Sequence, residues 1–309
     1  MILPKLVGKG LFVFSDPGGA KPCLSYILIN NCSNYIVISD REYKFYSDFK
    51  INVIITEEVE RYIFEFKPDY IFSATSYTSN IEKIAIKNAK INKIPTITYI
   101  DHSTNILDRF ILNNELHLPD FILVSDYDTQ NELQKLNLVN SCNITQIENP
   151  FHVFLANWKP KIDKESFLFN LNIPTKKKII LLAFDPLSNI NGLQKYGVDE
   201  LSAIKEINPI IESKDLDYTF IFKPHPNQNL DLLKNVLSDK IILVSSQSDT
   251  NILIYFSDII IGFFSNILLE ASVFDKKIIR YHPNGFKNDP FLNKKIGIIA
   301  TKETLIKYL

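Results

Sequence analysis

The sequence predicts an α/β protein of two tandem doubly wound domains, each built on a parallel β-sheet. Short apolar runs typical of buried strands alternate with segments of helical periodicity along the chain. The alternation breaks at residues 150–163 and then begins again. A chain of 309 residues is also long for one hydrophobic core. Apolar strands that alternate with helices are typical of parallel sheets covered on both faces.

The first half contains seven strand patterns and four helix patterns. Runs rich in β-branched and aromatic residues predict strands over residues 11–15, 35–39, 51–56, 69–75, 96–101, 121–126 and 143–149. Apolar residues at helical spacing predict helices over residues 23–29, 57–66, 80–89 and 129–136. A glycine-rich turn, DPGGA at residues 16–20, joins the first strand to the first helix.

The second half repeats this organisation after a stretch rich in proline, aromatic residues and lysine. We place the boundary in that stretch, between domains of residues 1–155 and 156–309. Strands are predicted over residues 178–185, 218–223, 241–245, 259–264 and 276–281. Helices are predicted over residues 199–213, 230–237, 250–256 and 266–274. Two such domains in tandem, each with loops at the carboxyl ends of its strands, predict one cleft between them.

Composition limits the cellular setting. The formal net charge of -1 provides no overall basic field, so nucleic acid is not an expected partner. Three cysteines without metal-ligand spacing indicate reduced thiols, and the amino terminus does not resemble a signal peptide. We therefore expect a cytoplasmic protein. Lys159, Lys161, Lys164 and the run 176–178 offer contact with anionic lipid at the inner face of the membrane; a solvated role for these lysines is favoured.

The segment FIFKPHPN at residues 220–227 is the most distinctive candidate site. Pro224 and Pro226 cannot donate to a strand ladder, so the strand should end near Lys223 and leave His225 on a loop at its carboxyl end. Lys223 and His225 would offer an anionic ligand one fixed charge and one switchable proton. The alternative is a surface turn stiffened by proline.

The DPGGA turn is a second candidate at a strand end. Gly18 and Gly19 allow backbone N–H groups to approach a ligand closely, and Asp16 adds a carboxylate. The spacing is neither that of a dinucleotide-binding motif nor that of a P-loop. A tight turn between strand and helix explains the glycines equally well.

A third loop, YIDHSTN at residues 99–105, places Asp101, His102 and Ser103 at another strand end. A general base could be held there, although Asp101 or Ser103 could instead cap a turn. Along an extended segment, neighbouring side chains point to opposite sides, so Asp101 and His102 should not both face one ligand.

The segment IIIGFFSNILLEA at residues 259–271 predicts a phosphate site. An apolar strand runs through Gly262 to Ser265 and Asn266, where a helix begins and its free N–H groups favour an anion. Ser265 acting only as a helix N-cap is the alternative. Glu270 could reach back towards a ribose hydroxyl, but a solvated position is favoured.

FKPHP followed by GFFSNILLEAS resembles the second half of GT-B glycosyltransferases that use CMP-activated acidic sugars, namely the bacterial sialyltransferases and Kdo transferases. YIDHS resembles the aspartate loop of the sialyltransferases, although His102 stands where that family has a second acidic residue. The resemblance implies two Rossmann-like domains, with His225 and Ser265 at the CMP phosphate and Asp101 as the base that deprotonates the acceptor.

We therefore expect an inverting glycosyltransferase that moves an acidic sugar from a CMP-sugar to a glycan or glycolipid acceptor in surface polysaccharide synthesis. It should need no cofactor and no metal, because no acidic cluster stands at a strand end to hold Mg²⁺. Alternatives on the same fold are a UDP-sugar or CDP-glycerol donor and, ranked lower, a sugar-nucleotide epimerase. A non-catalytic nucleotide- or sugar-binding subunit of a capsule-assembly complex is the alternative from another class.

Overall fold

A computed structural model describes residues 6–76, 78–102, 105–138, 142–213 and 217–309. The chain divides into two compact units, Met1–Asn157 and Trp158–Leu309. Each unit has its own parallel sheet and hydrophobic core, and each is described by itself.

Unit 1 contains a seven-stranded parallel sheet in the order β3-β2-β1-β4-β5-β8-β9. Its strands are β1 (Gly10–Phe14), β2 (Tyr35–Ser39), β3 (Ile54–Ile55), β4 (Tyr70–Ser73), β5 (Thr96–Ile100), β8 (Phe121–Val124) and β9 (Asn143–Gln146). A small antiparallel hairpin of β6 (Ile111–Leu112) and β7 (Glu115–Leu116) lies outside this sheet. The helices of the unit are α1 (Pro17–Ile29), α2 (Tyr46–Phe49), α3 (Val59–Phe66), α4 (Ile81–Ile91), α5 (Tyr127–Lys135) and α6 (Pro150–Ala156).

Unit 2 contains a six-stranded parallel sheet in the order β12-β11-β10-β13-β14-β15. Its strands are β10 (Lys178–Leu182), β11 (Tyr218–Phe222), β12 (Ile241–Leu243), β13 (Ile259–Gly262), β14 (Lys277–Tyr281) and β15 (Ile298–Ala300). Its helices are α7 (Lys164–Asn170), α8 (Gly192–Tyr196), α9 (Glu200–Ser213), α10 (Leu230–Lys234), α11 (Thr250–Phe256), α12 (Asn266–Val273) and α13 (Lys302–Tyr308).

The central strands are apolar because helices cover both faces of each sheet. Every residue of β1 is buried, and in unit 2 alternate residues of β10 enter different cores: Ile180 lies on one side and Leu181 on the other. Complete burial of one such side chain stabilises the fold by roughly 1.5–3 kcal/mol. The doubly wound α/β prediction is therefore confirmed.

The stretch that begins at Pro150, for which the sequence predicted no helix, contains helix α6. Proline fits the first position of a helix, where its missing N–H would have no partner within the helix. The side chain of Asn149 accepts a hydrogen bond from the Phe151 N–H at 2.9 Å and caps the helix. Phe154 stacks on Phe49 and Lys21 lies over the ring of Phe151, so α6 packs within unit 1. Among the described residues, no helix is long and apolar enough to cross a membrane.

Candidate functional site

Both sheets have a topological switch point beside their first strand. The chain order reverses between β1 and β4 in unit 1 and between β10 and β13 in unit 2. In doubly wound sheets, ligands bind at the carboxyl ends of the strands at such points. Most of the predicted site residues that the structure describes follow strands at these edges or begin the helices next to them, whereas Gly262 is the last residue of β13 and Glu270 lies within α12.

His225 lies on the loop after β11, as predicted. The Asn227 N–H donates a hydrogen bond to His225 Nδ1 at 3.2 Å, so the neutral imidazole carries its proton on Nε2. Desolvation, together with the nearby charge of Lys223, lowers the pKa of His225. At neutral pH the ring is therefore a neutral donor through its Nε2–H, and its switch of charge lies in the acidic range.

Lys223 and Pro226 differ in exposure. Lys223 is buried, and its Nζ donates to the carbonyl oxygen of Ser246 at 3.2 Å. Pro226 is exposed on the loop. The positive charge of Lys223 acts on the His225 ring, where it contributes to the lowered pKa.

Gln228, which the sequence analysis missed, holds the His225 loop in place. Its side chain is buried, its Oε1 accepts from the His225 N–H at 2.7 Å, and its Nε2 donates to the Phe184 carbonyl oxygen at 3.3 Å. One amide therefore connects the loop after β11 to the loop after β10. Nothing in the sequence distinguishes this glutamine from the other polar residues of the loop.

Asp185, also missed, connects the loop after β10 to the turn before α12. Its Oδ2 accepts from the Phe264 N–H at 3.2 Å. Desolvation is the main cause that raises the pKa of Asp185 to about 7, and Glu200 contributes. The sequence did contain a signal, because FDP at residues 184–186 follows β10 as SDP at residues 15–17 follows β1.

Ser265 is the N-cap of α12. Its hydroxyl accepts from the Ile267 N–H at 3.4 Å, and Asn266 is exposed as the first residue of the helix. The expected solvated position of Glu270 is wrong, because this residue is 8% exposed. Glu270 shares a helix face with Ile267 and Phe274, and both of these pack against a core of unit 2.

Gly262 is required where β13 ends beside β10. A Cβ atom at this position would lie 2.6 Å from the backbone oxygen of Ala183. We expect Gly262→Ala to destabilise the protein by roughly 1–3 kcal/mol, because main chain must move to make room. Chemical denaturation can measure this loss, with the exposed Ser272→Ala as the control. An unchanged unfolding midpoint for Gly262→Ala would contradict the packing argument.

In unit 1, the DPGGA segment is not a free turn as predicted. Helix α1 begins at Pro17, so Gly18 and Gly19 form its first turn. Asp16 occupies the N-cap position without a side-chain cap. Its Oδ1 instead accepts from Arg41 Nη1 at 2.6 Å and from Thr78 Oγ1 at 3.2 Å. Proline at the first helical position explains why the helix starts so early.

Asp101 lies against the start of α1. A Cβ atom on Gly18 would collide with Asp101 Oδ2, and one on Gly19 would collide with Ala74. The two glycines therefore serve close packing, and Gly18 leaves room for the carboxylate. His102 is exposed. Ser103 lies outside the described residues.

Arg109, which the sequence analysis missed, holds Asp101 from the other side. Arg109 is buried, and its Nη1 donates to Asp101 Oδ1 and to Thr75 Oγ1, each at 2.8 Å. These two hydrogen bonds fix the position of the Asp101 carboxylate beside the loop after β4. Among the described residues, no group of three or more His, Cys, Asp or Glu side chains could hold a metal ion.

Glu82 is a buried carboxyl group at the same switch point. Its Oε1 accepts from the Ser15 N–H at 3.0 Å, and its Oε2 accepts from Ser76 Oγ at 2.8 Å. Burial raises the pKa of Glu82 from 4.5 to about 7. Glu82 thereby ties the loop after β1 to the loop after β4.

The raised pKa of Glu82 predicts a pH-dependent stability. Between about pH 4.5 and 7 the folded state retains a proton that the unfolded chain releases, so the free energy of unfolding falls as pH rises. Glu82→Gln should remove this loss. The free energy of unfolding of the variant relative to wild type should therefore be higher at pH 8 than at pH 4, by roughly 3 kcal/mol. Denaturation at both pH values measures the gain. The exposed Glu57→Gln is the control, and a pH-independent difference for Glu82→Gln would contradict the assignment.

The family comparison bears directly on this geometry. Residues 115–287 match the model of the family described as CDP-glycerol:poly(glycerophosphate) glycerophosphotransferase, and they make up more than half of the chain. The chain belongs to this family. The matched residues include Asp185, His225, Gln228 and Ser265, whereas Asp101 precedes the matched range. It favours the CDP-glycerol alternative; the predicted likeness to sialyltransferases and Kdo transferases is not confirmed.

Solved structures show which fold this glycerophosphotransferase family member has. A putative UDP-N-acetylglucosamine 2-epimerase from Listeria monocytogenes has a TM-score of 0.69 at 14% identity, covering 97% of this chain and 86% of that one. The UDP-GlcNAc 2-epimerase from Methanocaldococcus jannaschii has a TM-score of 0.68 at 15% identity, with coverages of 97% and 91%. These similarities show a GT-B-like fold of two Rossmann-type domains. No curated protein matches the sequence.

Proposed function

We propose that this protein transfers glycerol phosphate from CDP-glycerol to a hydroxyl group of an acceptor and releases CMP. The observation that carries the proposal is the family match, which includes every loop at the switch point of unit 2. In this reaction the acceptor oxygen forms a bond to the phosphorus that carries glycerol. The bond from that phosphorus to the bridging oxygen breaks, CMP leaves with the electron pair, and the acceptor proton passes to a base.

The loops of unit 2 would hold the donor. His225 would donate its Nε2–H to a phosphate oxygen, Lys223 would add a positive charge, and the Ser265 end of α12 would offer backbone N–H groups. Phosphoryl transfer depends mainly on positioning and on stabilising negative charge at the phosphates. Gln228 and Asp185 support this role because they connect the loops that carry these groups.

Asp101 would receive the acceptor proton. Its carboxylate is held by Arg109 and is one-quarter exposed, so it is both positioned and accessible. A carboxylate held at a fixed position can orient the acceptor hydroxyl group and take its proton as the new bond to phosphorus forms. Asp16 and His102 would contact the acceptor nearby. A glycan, a glycolipid or a polyol phosphate would suit this role.

A CMP-activated acidic sugar is the second candidate donor. It is supported by the motifs FKPHP and GFFSNILLEAS, and its transfer also releases CMP. A UDP-sugar is the third candidate, since one structural neighbour is a UDP-GlcNAc 2-epimerase from Neisseria meningitidis bound to UDP-GlcNAc. That structure has a TM-score of 0.63 at 18% identity, covering 88% of this chain and 82% of that one. A non-catalytic subunit would bind a nucleotide without transfer.

Thermal stabilisation separates these donors. A ligand that binds only the native state at 100 times its Kd stabilises the protein by about 2.7 kcal/mol. We expect CDP-glycerol and CMP to raise the melting temperature, with UDP-GlcNAc and CMP-sialic acid having smaller effects at equal concentration. A larger shift with CMP-sialic acid or UDP-GlcNAc than with CDP-glycerol would contradict the proposed donor.

We also propose that transfer proceeds without a divalent metal ion. Lys223, His225 and the start of α12 would stabilise the negative charge of the departing phosphate in place of a metal ion. EDTA should therefore leave the initial rate of CMP release unchanged. Complete loss of this rate, with recovery on adding Mg²⁺ or Mn²⁺, would show that a metal ion is required.

A further inference from the structure

Five aliphatic side chains lie exposed on three neighbouring segments of unit 2. The segments are residues 187–196, 227–234 and 283–295, all of which follow carboxyl ends of strands. The exposed fractions are Ile190 52%, Leu193 57%, Leu230 40%, Leu232 47% and Leu292 78%. Single exposed leucines are ordinary on protein surfaces, but five on adjoining segments require an explanation.

Hydrogen bonds connect the three segments to one another. Asn189 Nδ2 donates to the carbonyl oxygen of Asn227 at 2.5 Å, which connects the first segment to the second. Asn288 Nδ2 donates to the carbonyl oxygen of Lys195 at 2.7 Å, which connects the third segment to the first. The Lys287 N–H also donates to the Tyr196 carbonyl oxygen, at 2.9 Å. We call this region the aliphatic-lysine surface.

The charge of this surface is mainly positive. Its lysines are Lys195, Lys234, Lys287, Lys294 and Lys295. Lys195 lies over the ring of Tyr196 and Lys294 over that of Phe291. These fully described segments contain two carboxylates: Asp231 is exposed, whereas Asp289 is nearly buried and pairs with Arg280. The exposed groups therefore attract anions.

We propose that the aliphatic-lysine surface docks on a lipid bilayer that contains anionic headgroups. Leucine and isoleucine side chains at an interface enter the boundary between headgroups and acyl chains, while lysines at the same level pair with anionic lipid. A soluble polyanion would use the lysines alone and would leave the five aliphatic side chains in water. The combination of both residue types favours the bilayer.

The lysines that the sequence analysis considered for lipid contact lie elsewhere in unit 2. Residues 176–178 precede and begin β10, at the amino ends of the strands. Helix α7 precedes these lysines and carries one exposed aromatic side chain, Phe169. Two carboxylates, Asp163 and Glu165, lie at the start of this helix. Among residues 159–178, all of which the structure describes, no large aliphatic side chain is exposed, so this second group of lysines provides a matched control.

Docking would bring the loops of unit 2 close to the headgroups. The second segment of the surface begins at Asn227, whose N–H bonds to His225 Nδ1. An acceptor anchored in the same bilayer would then lie near the proposed donor site. The docking proposal does not depend on which donor is used, because it rests on exposed side chains outside that site.

Flotation with lipid vesicles tests the proposal without donor or acceptor. Vesicles of phosphatidylcholine are compared with vesicles of equal parts phosphatidylcholine and phosphatidylglycerol. The leucine variant combines Leu193→Ser and Leu292→Ser. The surface-lysine variant combines Lys195→Gln, Lys287→Gln and Lys295→Gln. The control variant combines Lys176→Gln, Lys177→Gln and Lys178→Gln. Melting temperatures confirm that all of them fold, since exposed substitutions change stability little.

We expect the wild type and the control to bind the anionic vesicles equally, and the surface-lysine variant to bind about 10- to 100-fold more weakly. The leucine variant should also lose binding. The proposal is overturned if the wild type does not float with anionic vesicles or if the control loses as much binding as the surface-lysine variant. It is also overturned if the leucine variant binds like wild type, which would identify a general polyanion surface.

Discussion

Replacing His225 with alanine is expected to lower the rate of transfer at least about 100-fold, because the departing phosphate loses its positioned donor. Stability should change little, since the His225 side chain is exposed and its loop is held through its backbone by Gln228. Stopped-time assays of CMP release and thermal unfolding measure the two quantities. A large drop in melting temperature would show instead that His225 is structural.

The tautomer of His225 predicts how the rate depends on pH and on the residue that replaces the histidine. Nδ1 accepts from the Asn227 N–H, so the proposed contact uses Nε2–H of the neutral ring. The lowered pKa means that the ring is neutral at pH 7 and above. The rate should therefore not fall from pH 7 to 8 through loss of a proton from His225. His225→Gln, which keeps an N–H donor, should retain more activity than His225→Ala; equal losses would contradict the hydrogen-bond role.

Asp101→Asn should lose at least about 100-fold in transfer while binding CMP like wild type, because the variant lacks the proton acceptor but retains an oxygen for Arg109. Calorimetry measures CMP binding, and a single-turnover assay measures transfer. His102→Ala should be milder.

Asp16→Asn is a matched control for Asp101→Asn. Asp16 also follows a strand and pairs with an arginine, Arg41, at a similar distance. If Asp101→Asn keeps most of its transfer while Asp16→Asn or His102→Ala loses it, the base has been misassigned.

The sequence was sufficient to predict the elements whose chemistry is local. Strand propensity and the effect of proline act through neighbouring residues. The ends of β1, β2 and β13 therefore lie within two residues of the predicted ones, and His225 lies on a loop as predicted. Helix α6 was missed because proline can both interrupt a helix and start one. Strand β3 is only two residues long, because the pairing of an edge strand depends on the partner strand more than on its own composition.

The residues that organise the site have roles that arise from contacts between distant segments, and nothing in the sequence marks Gln228 or Arg109 for such a role. Gln228 bonds to Phe184, Asp185 bonds to Phe264, and Arg109 bonds to Thr75. None of these pairs forms a sequence motif. The motifs around His225 and Ser265 also did not identify the donor, because CDP-glycerol and CMP-sugars both release CMP, and a site for that product fits either reaction.

The most direct test of the account is to follow the transferred group. Protein is incubated with a short poly(glycerol phosphate) acceptor and either CDP-glycerol labelled in glycerol or CMP-sialic acid labelled in the sugar. We predict that the glycerol label enters the acceptor through a new phosphodiester, detected by phosphorus NMR, in equal amount to the CMP released. The sialic acid label should remain with its donor. Incorporation of sialic acid without glycerol incorporation would contradict the proposed glycerophosphotransferase activity.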